Sequence, residues 1–265
     1  MQPKTEELLY LLLWTLGQAM RPTFRNLDES FEGWAYRKGL LRQLRALEER
    51  ALIESQPAKP GGQDRVWRLT AQGLMHALGG RDPRGHWERP WDGLWRLVLF
   101  DIPEERRADR RHLRRYLRSR GFGYLQNSVW LSPHPVDPER VALQGGKIDV
   151  ESLLLLEARP AARETDADLV AGAWNFAAIN RGYEGAMSVL ALRPRAAART
   201  PETAQALRDW GRAERAAWNE AVVSDPLLPR TLWPRGYLGE KAWNRRTKEL
   251  AAAARLATPF RPPKA

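Results

Sequence analysis

The sequence has no cysteine and no long apolar run, and these two absences exclude several classes of protein. Without cysteine the chain can form no disulfide, no zinc–thiolate site and no thiol nucleophile. No stretch approaches the roughly eighteen consecutive apolar residues that a membrane-spanning helix requires, and the N-terminus lacks the pattern of a secretory signal. We therefore expect a cytoplasmic protein without a membrane partner.

Residues with catalytic chemistry are equally scarce. The four histidines, at positions 76, 86, 112 and 134, form no metal-spaced pair, and none adjoins a serine with an orienting acid. Neither GxGxxG nor GxxxxGK followed by Ser or Thr occurs, so the glycine-rich signatures of nucleotide binding are missing. These absences favour a binding protein over an enzyme and suggest no cofactor.

The charge balance is strongly basic. Lys and Arg number 43 against 32 Asp and Glu, which gives a net charge of +11 and a pI near 10.4. Such a balance favours a polyanionic partner, and double-stranded nucleic acid is the obvious one. The alternative explanation is that a genome rich in G and C encodes arginine often, because lysine occupies only seven positions.

The stretch with the clearest pattern covers residues 91–133, WDGLWRLVLFDIPEERRADRRHLRRYLRSRGFGYLQNSVWLSP. The apolar run at 95–100 predicts a buried strand, and an arginine-rich helix with apolar residues at helical spacing follows at 104–120. One or two short strands are predicted at 124–131. A helix at 137–143 and a strand at 152–157 then complete a ferredoxin-like βαββαβ domain over residues 91–160.

Residues 1–80 have the pattern of a winged helix-turn-helix. Helices are predicted at 5–18, 27–31 and 34–50, followed by strands at 51–55 and 65–69 and a helix at 71–78 that Thr70 caps. In such a domain the third helix enters the major groove and the ribbon contacts the adjacent backbone. The alternative is a winged helix that docks on proteins and never meets DNA.

Six basic residues are the candidates for DNA contacts in this domain. Arg42 and Lys38 lie on the outward face of the third helix. Arg42 could pair with guanine and Lys38 could contact a phosphate, but the sequence alone does not rank the two. Arg37 lies nearer the core edge of that helix. The full set is Arg37, Lys38, Arg42 and Arg45 on the helix, with Lys59 and Arg65 in the ribbon.

The remainder of the chain divides into a linker and a helical region. Residues 81–90 contain glycine, proline and mixed charge without periodicity, which predicts a linker. Residues 161–265 are predicted to form a helical domain for effector binding or dimerisation, with helices at 166–180, 183–192, 202–223 and 238–256. The whole chain is therefore predicted to be α+β.

Three separated motifs resemble those of the PaaX-like repressors of phenylacetic acid catabolism: WDGLWRLVLFDIPEERR, GFGYLQNSVW and, far downstream, DPLLPRTLWP. The resemblance implies a homodimeric repressor that binds double-stranded operator DNA. It also implies release by phenylacetyl-coenzyme A or a similar acyl-coenzyme A. The sequence departs from the family at residues 47–53, where LEERALI stands for the family's Leu-x-x-Glu-Gly-Trp-Leu pattern.

Two further functions stay open at this point. The stretch around Asp101 also resembles the small CRISPR-associated ferredoxin-like nucleases, which place a metal-binding aspartate at the end of this strand. A single carboxylate holds magnesium poorly, so the competing interpretation is that Asp101 only terminates the strand. The other alternative is a nonspecific nucleic-acid-binding module. The run of arginines at 106–120 fits solvent, flanking DNA or an acyl-coenzyme A phosphate.

Overall fold

The computed structural model describes residues 40–57, 65–73, 81–136, 152–198 and 200–256. Their fold is α+β, with short 3₁₀ turns at Glu104–Arg106 and Arg230–Leu232. The other elements are, in chain order, α1 Leu40–Glu49, β1 Ile53–Pro57, β2 Arg65–Leu69, α2 Pro83–Trp87, β3 Trp95–Asp101, α3 Arg107–Ser119, β4 Gly123–Gln126, β5 Val129–Ser132, β6 Ser152–Ala158, α4 Asp166–Ala173, α5 Phe176–Ala191, α6 Pro201–Ser224 and α7 Gly239–Leu256.

Several predicted elements lie outside the described residues: the helices at 5–18 and 27–31, the tip of the ribbon and the helix at 137–143. The winged helix-turn-helix therefore stays a prediction, supported by one helix and the two-stranded ribbon that follows it. In the part of the chain that the structure describes, no helix is long and apolar enough to cross a membrane.

Helix α1 ends in a left-handed cap. The Ala51 amide donates to the Glu48 carbonyl (2.8 Å) and the Leu52 amide donates to the Leu47 carbonyl (2.9 Å), which are the two hydrogen bonds of a Schellman motif. Ala51 has a φ of 54°, a conformation that costs a residue with a Cβ about 1–2 kcal/mol. Because the cap occupies residues 51 and 52, the strand predicted from 51 begins at Ile53 instead.

Strands β1 and β2 form an antiparallel ribbon, with the register running from Ile53 opposite Leu69 to Pro57 opposite Arg65. The predicted strand at 65–69 is confirmed. The Thr70 hydroxyl accepts from the Gly73 amide (2.9 Å), as expected of a residue that caps the next helix. Leu44, Leu47, Leu52, Ile53 and Trp67 are the buried apolar side chains of this region.

The central sheet has the strand order β4-β5-β3-β6, and all of its pairings are antiparallel. This is the order of a ferredoxin-like unit, because its first strand, β3, lies between the third and the fourth. The strands predicted at 95–100, 124–131 and 152–157 are confirmed, the second of them as the hairpin of β4 and β5. Helix α3 covers one face of the sheet through a cluster that includes Val98, Phe100, Trp130, Leu113 and Leu117.

A turn held by an ion pair leads into β3. Asp92 accepts from the Leu94 amide (3.0 Å) and binds the Arg96 guanidinium through both carboxylate oxygens, at 2.7 and 2.5 Å. The Arg96 guanidinium lowers the pKa of Asp92, first through this hydrogen bond. The Arg96 side chain is only 8% exposed, although it lies on a strand. Gly93, with a φ of 78°, supplies the left-handed conformation that the turn needs.

The opposite face of the sheet is covered at one end by residues from later in the chain. Trp95 and Leu131 pack in a cluster with Val170, Leu228 and Leu232. The Trp95 indole also donates to the first residue of α4, Asp166, at 2.8 Å. A buried indole usually finds such a partner, and here the contact fixes the start of α4 against the sheet.

The break between helices α4 and α5 differs from the prediction. The sequence predicted helices at 166–180 and 183–192, whereas α5 runs unbroken through Arg181 and Gly182 and the break falls at Trp174 and Asn175. Trp174 is extended and its indole donates to the Gly121 carbonyl (3.3 Å). The Asn175 side chain then accepts from the Ala178 amide (2.9 Å), the bond of an N-terminal cap.

Residues 81–90, predicted to be a linker, contain helix α2. Pro83 stands in its first turn, where a missing amide hydrogen costs nothing. Trp87 at its end is 1% exposed and donates to the Tyr237 hydroxyl at 3.1 Å. A buried tryptophan with a hydrogen-bond partner is a core residue, so this stretch belongs to a folded unit.

The chain forms two compact units: Met1–Arg81 with Tyr183–Asn219 and Gly239–Ala265, and Asp82–Gly182 with Glu220–Leu238. Residues 161–265, predicted as one domain, contribute to both. In the first unit Glu214 and Arg246, each 2% exposed at the side chain, form an ion pair of 2.6 Å. The Arg246 guanidinium also lies 4.6 Å from the centre of the Trp218 ring.

Candidate nucleic-acid interface

Only part of the predicted DNA-contacting set lies in the described residues. Arg45 is exposed on α1, as a residue that reads or grips DNA must be. Arg42 lies in the same helix and Arg65 begins β2, so both lie on the predicted elements. The other three candidates, Arg37, Lys38 and Lys59, lie outside the described residues.

A second group of basic residues lies on α3, in the central domain. At the N-terminal end of this helix the arginines are paired with acids. Glu104 accepts from Arg107 at 2.5 Å and from Arg110 at 2.7 Å, and Asp109 pairs with Arg106 at 3.1 Å. The hydrogen bond from Arg107 is the main reason why the pKa of Glu104 is lowered. Each of these three arginines thus has an acidic partner.

The C-terminal half of α3 is different. Arg111, Arg115 and Arg118 are exposed, and within the part of the chain that the structure describes no ion pair or hydrogen bond holds them. Arg118 lies over the Trp130 ring, 5.6 Å from its centre. Arg114 is half-buried and donates to the Asn127 carbonyl at 3.3 Å. The exposed arginines thus form a basic strip along one side of the helix.

Asp101 ends β3 opposite Ser152 of β6, and its side chain is exposed. Among the described residues no group of three or more His, Asp or Glu side chains could hold a metal ion. The structure places Asp101 at the predicted strand end. Its geometry matches a residue that terminates a strand.

The structure brings together two histidines that the sequence spacing does not relate. The rings of His86 and His134 lie edge to face with their centres 6.0 Å apart. His86 contacts the Asp82 carbonyl through Nδ1 at 2.8 Å, which orients its ring. No periodicity could have indicated this pair, because α2 lay inside the predicted linker.

The DPLLP motif forms a corner that is built on a buried carboxylate. Asp225 is 1% exposed, accepts from the Leu227 amide at 2.8 Å and accepts from the Tyr237 hydroxyl. Leu227 is fully buried with a φ of 54°, which is a true outlier for a large side chain. Trp233 donates to the Leu228 carbonyl at 2.9 Å and closes the corner. The sequence did not indicate the carboxylate anchor of this motif.

The comparisons with known proteins point to the central domain. Residues 88–170 match a family model described as the PaaX protein central Cas2-like domain. The central domain is thus similar to the central domain of PaaX proteins. No curated protein matches the chain.

A solved structure, the uncharacterized protein Rv0674 from Mycobacterium tuberculosis, is similar in fold to nearly the whole chain. It covers 94% of each of the two chains with a TM-score of 0.51 and 21% sequence identity. Identity at that level shows a shared fold and nothing about function.

The signature residues of the PaaX domain serve its structure. Asp92 and Arg96 of the WDGLWR motif hold the turn before β3. Gly123 of the GFGYLQNSVW motif lies where an added Cβ would stand 2.6 Å from Trp174, so no larger residue fits. Trp130 is fully buried under α3. The match thus identifies a folding unit.

Proposed function

We propose that the protein is a DNA-binding transcriptional regulator of the PaaX type that represses a catabolic operon. The PaaX central domain at residues 88–170 is the observation that carries this proposal. The net charge of +11 and the exposed Arg45 on the helix before the ribbon also support it, because a DNA-reading helix needs outward basic side chains.

Regulation is proposed to follow from linkage between DNA and an acyl-coenzyme A thioester such as phenylacetyl-coenzyme A. The protein would exist in two conformations that differ in operator affinity. A ligand that binds more tightly to the conformation with weak operator affinity lowers the occupancy of the operator, to an extent set by the difference in its affinity for the two conformations. The thioester is carried over from the resemblance of the three motifs to the PaaX-like repressors.

A titration of the purified protein against its own upstream intergenic DNA and a scrambled duplex tests the regulatory function. The expected result is tight binding to the upstream fragment only, reversed by one thioester. Both fragments must be measured at the same salt concentration, since nonspecific affinity depends steeply on it. Equal binding to both duplexes, indifferent to every thioester, would leave a nonspecific nucleic-acid-binding module in its place.

Substitutions in the third helix separate base reading from phosphate contact. For Arg42→Ala we expect a loss of about 1–3 kcal/mol and relaxed specificity at one operator position. For Lys38→Ala we expect weaker binding to every sequence and a salt slope smaller by about one. Arg195→Ala, at an exposed arginine far along the chain, is the charge-matched control. If the control weakened binding as much as Arg42→Ala, the major-groove role of the helix would be wrong.

The regulator is also proposed to act as a homodimer, since two protomers match two operator half-sites. The side chains on the uncovered end of the central sheet support this. Leu154 and Leu156 on the edge strand β6 are 57% and 47% exposed. They lie opposite Leu99 and Leu97 of β3, which are half-buried on the same face.

A further inference from the structure

We propose that the exposed arginines of α3 form a second DNA-contacting surface. This surface binds phosphates of the double helix that lie beyond the base pairs contacted by the winged domain. This inference rests on the proposed DNA-binding function and adds a surface to it. The surface consists of Arg111, Arg115 and Arg118.

The arrangement of these side chains along the helix is the first support. At 100° per residue the three positions lie within about 60° of one another around the helix axis. The distance along the axis from Arg111 to Arg118 is about 10 Å, which is long enough for the strip to contact more than one phosphate of a DNA strand. The strip lies opposite Leu113 and Leu117, which bury α3 against the sheet, so it faces outward.

The energetics of the helix is the second support. Arginines three and four residues apart repel one another, and each such pair destabilises a helix by about 0.2–0.5 kcal/mol. The N-terminal end of α3 avoids this cost by pairing its arginines with Glu104 and Asp109. The C-terminal half carries the repulsion between Arg111, Arg115 and Arg118 without described acids to offset it. A polyanion that binds along the strip would relieve it.

Structural roles explain some of these arginines but not all. Arg118 stacks on Trp130 and lies in the last turn, where the helix dipole favours a cation. Arg111 and Arg115 lie in the middle of the helix, and neither makes a contact with the described side chains that would account for it. Arginine is suited to phosphate because its planar guanidinium donates two parallel hydrogen bonds. Arg111 and Arg115 are therefore the residues that the test should change.

The experiment uses the full chain and compares two double variants of equal charge. Arg111→Gln with Arg115→Gln removes two arginines of the strip. Arg163→Gln with Arg181→Gln removes two exposed arginines of the same compact unit and is the control. Binding to the scrambled duplex and to the upstream fragment is followed by fluorescence anisotropy between about 50 and 200 mM salt, the range over which phosphate contacts weaken. Circular dichroism confirms that both variants are folded.

The slope of log affinity against log salt is the deciding quantity. Each phosphate contact contributes about 0.9 to it, so for each protomer bound the strip variant should have a slope smaller by about 1.8 than the wild type. Over the fourfold change in salt, the wild type should then lose about twelvefold more affinity per bound protomer than the variant. The control variant should behave as the wild type.

Three outcomes would overturn the inference. One is a slope of the strip variant equal to that of the wild type. Another is an equal reduction in both double variants, which would mean that only net charge matters. The third is unchanged DNA binding together with a lost response to acyl-coenzyme A, which would assign the arginines to the phosphates of that ligand. The slope is measured on scrambled DNA, so it does not depend on any preference for the upstream fragment. That preference tests the regulatory function separately.

Discussion

At the scale of single residues, the contact between Asp92 and Arg96 combines a nearly buried cation with a half-exposed carboxylate. The side chains are 48% exposed for Asp92 and 8% for Arg96. Glu157 is the second acid near Arg96, with its Oε1 3.3 Å from Nε, but that nitrogen lacks the alignment of a hydrogen bond. Asp92 therefore supplies most of the compensation for burying Arg96.

We expect Asp92→Asn to destabilise the protein by about 1–2 kcal/mol at pH 7, a value reduced by the solvent around the carboxylate. The pKa of Asp92 is lowered by Arg96, so its stabilisation is fully present above the ordinary aspartate pKa, near 4, and is lost as the pH falls through the lowered pKa. The difference between variant and wild type should thus vanish in strong acid. Urea denaturation at several pH values measures it.

Asp109→Asn is the matched control for this prediction. Its carboxylate is 43% exposed and pairs with Arg106, whose side chain is 31% exposed. Because both partners are solvated, we expect a change below about 0.5 kcal/mol. A similar loss of stability in both variants would show that burial of the arginine is not what makes the Asp92 pair strong.

Some residue-level features could not have been predicted from the sequence. Glu214 and Arg246 stand 32 positions apart, and each reads as a surface residue of an amphipathic helix. Their burial depends on how α6 and α7 pack, which no local pattern records. The same holds for Trp87, whose partners lie near residue 235.

At the scale of elements, α1 and α3 end in the same way with different residues. The cap of helix α3 has Gly121 in the left-handed position, with a φ of 86°, and the Phe122 amide donates to the Leu117 carbonyl at 3.0 Å. Helix α1 has Ala51 in the equivalent position, where the PaaX-like repressors carry glycine. The alanine must adopt a conformation that glycine adopts without a steric cost.

We expect Ala51→Gly to stabilise the protein by about 1 kcal/mol, since it removes the left-handed strain of a residue with a Cβ. Ala46→Gly, five residues earlier inside α1, should have the opposite effect and destabilise by about 1 kcal/mol, because glycine disfavours a helix interior. Midpoints of chemical denaturation give both values. Destabilisation by both substitutions would contradict the strain at Ala51.

The elements that the sequence predicted best are those with strong local patterns. The apolar run of β3 and the periodicity of α3 depend only on neighbouring residues, and both were predicted within one to three residues of their ends. The break at Trp174 was missed because it depends on the Gly121 carbonyl, 53 positions away. Gly182 was mistaken for a break, whereas it lets α5 approach Ala221 of α6 closely. For the candidate interface, the sequence indicated which helices are basic. It did not indicate which arginines of α3 form ion pairs with acidic residues.

At the scale of the whole molecule, the homodimer is testable through the exposed leucine on β6. Leu154→Glu places a charge on the uncovered apolar face and, if the face joins two protomers, should convert a dimer into a monomer of 30.3 kDa. Leu192→Glu, at a leucine 75% exposed in the other compact unit, is the control and should leave the mass unchanged. Sedimentation velocity distinguishes the two masses. A dimer that persists in Leu154→Glu would mean that another surface joins the protomers.

The close approach of Gly182 and Ala221 indicates where the chain can be shortened. A fragment limited to residues 88–170 keeps all four strands of the sheet but lacks Leu228 and Leu232. Part of the cover of Trp95 would then be lost, and the newly exposed apolar surface would promote aggregation. A Cβ at Gly182 would stand only 3.3 Å from the Ala221 backbone. The intervening stretch 183–219 is thus an insertion whose two ends meet, and we expect that a short glycine linker can replace it.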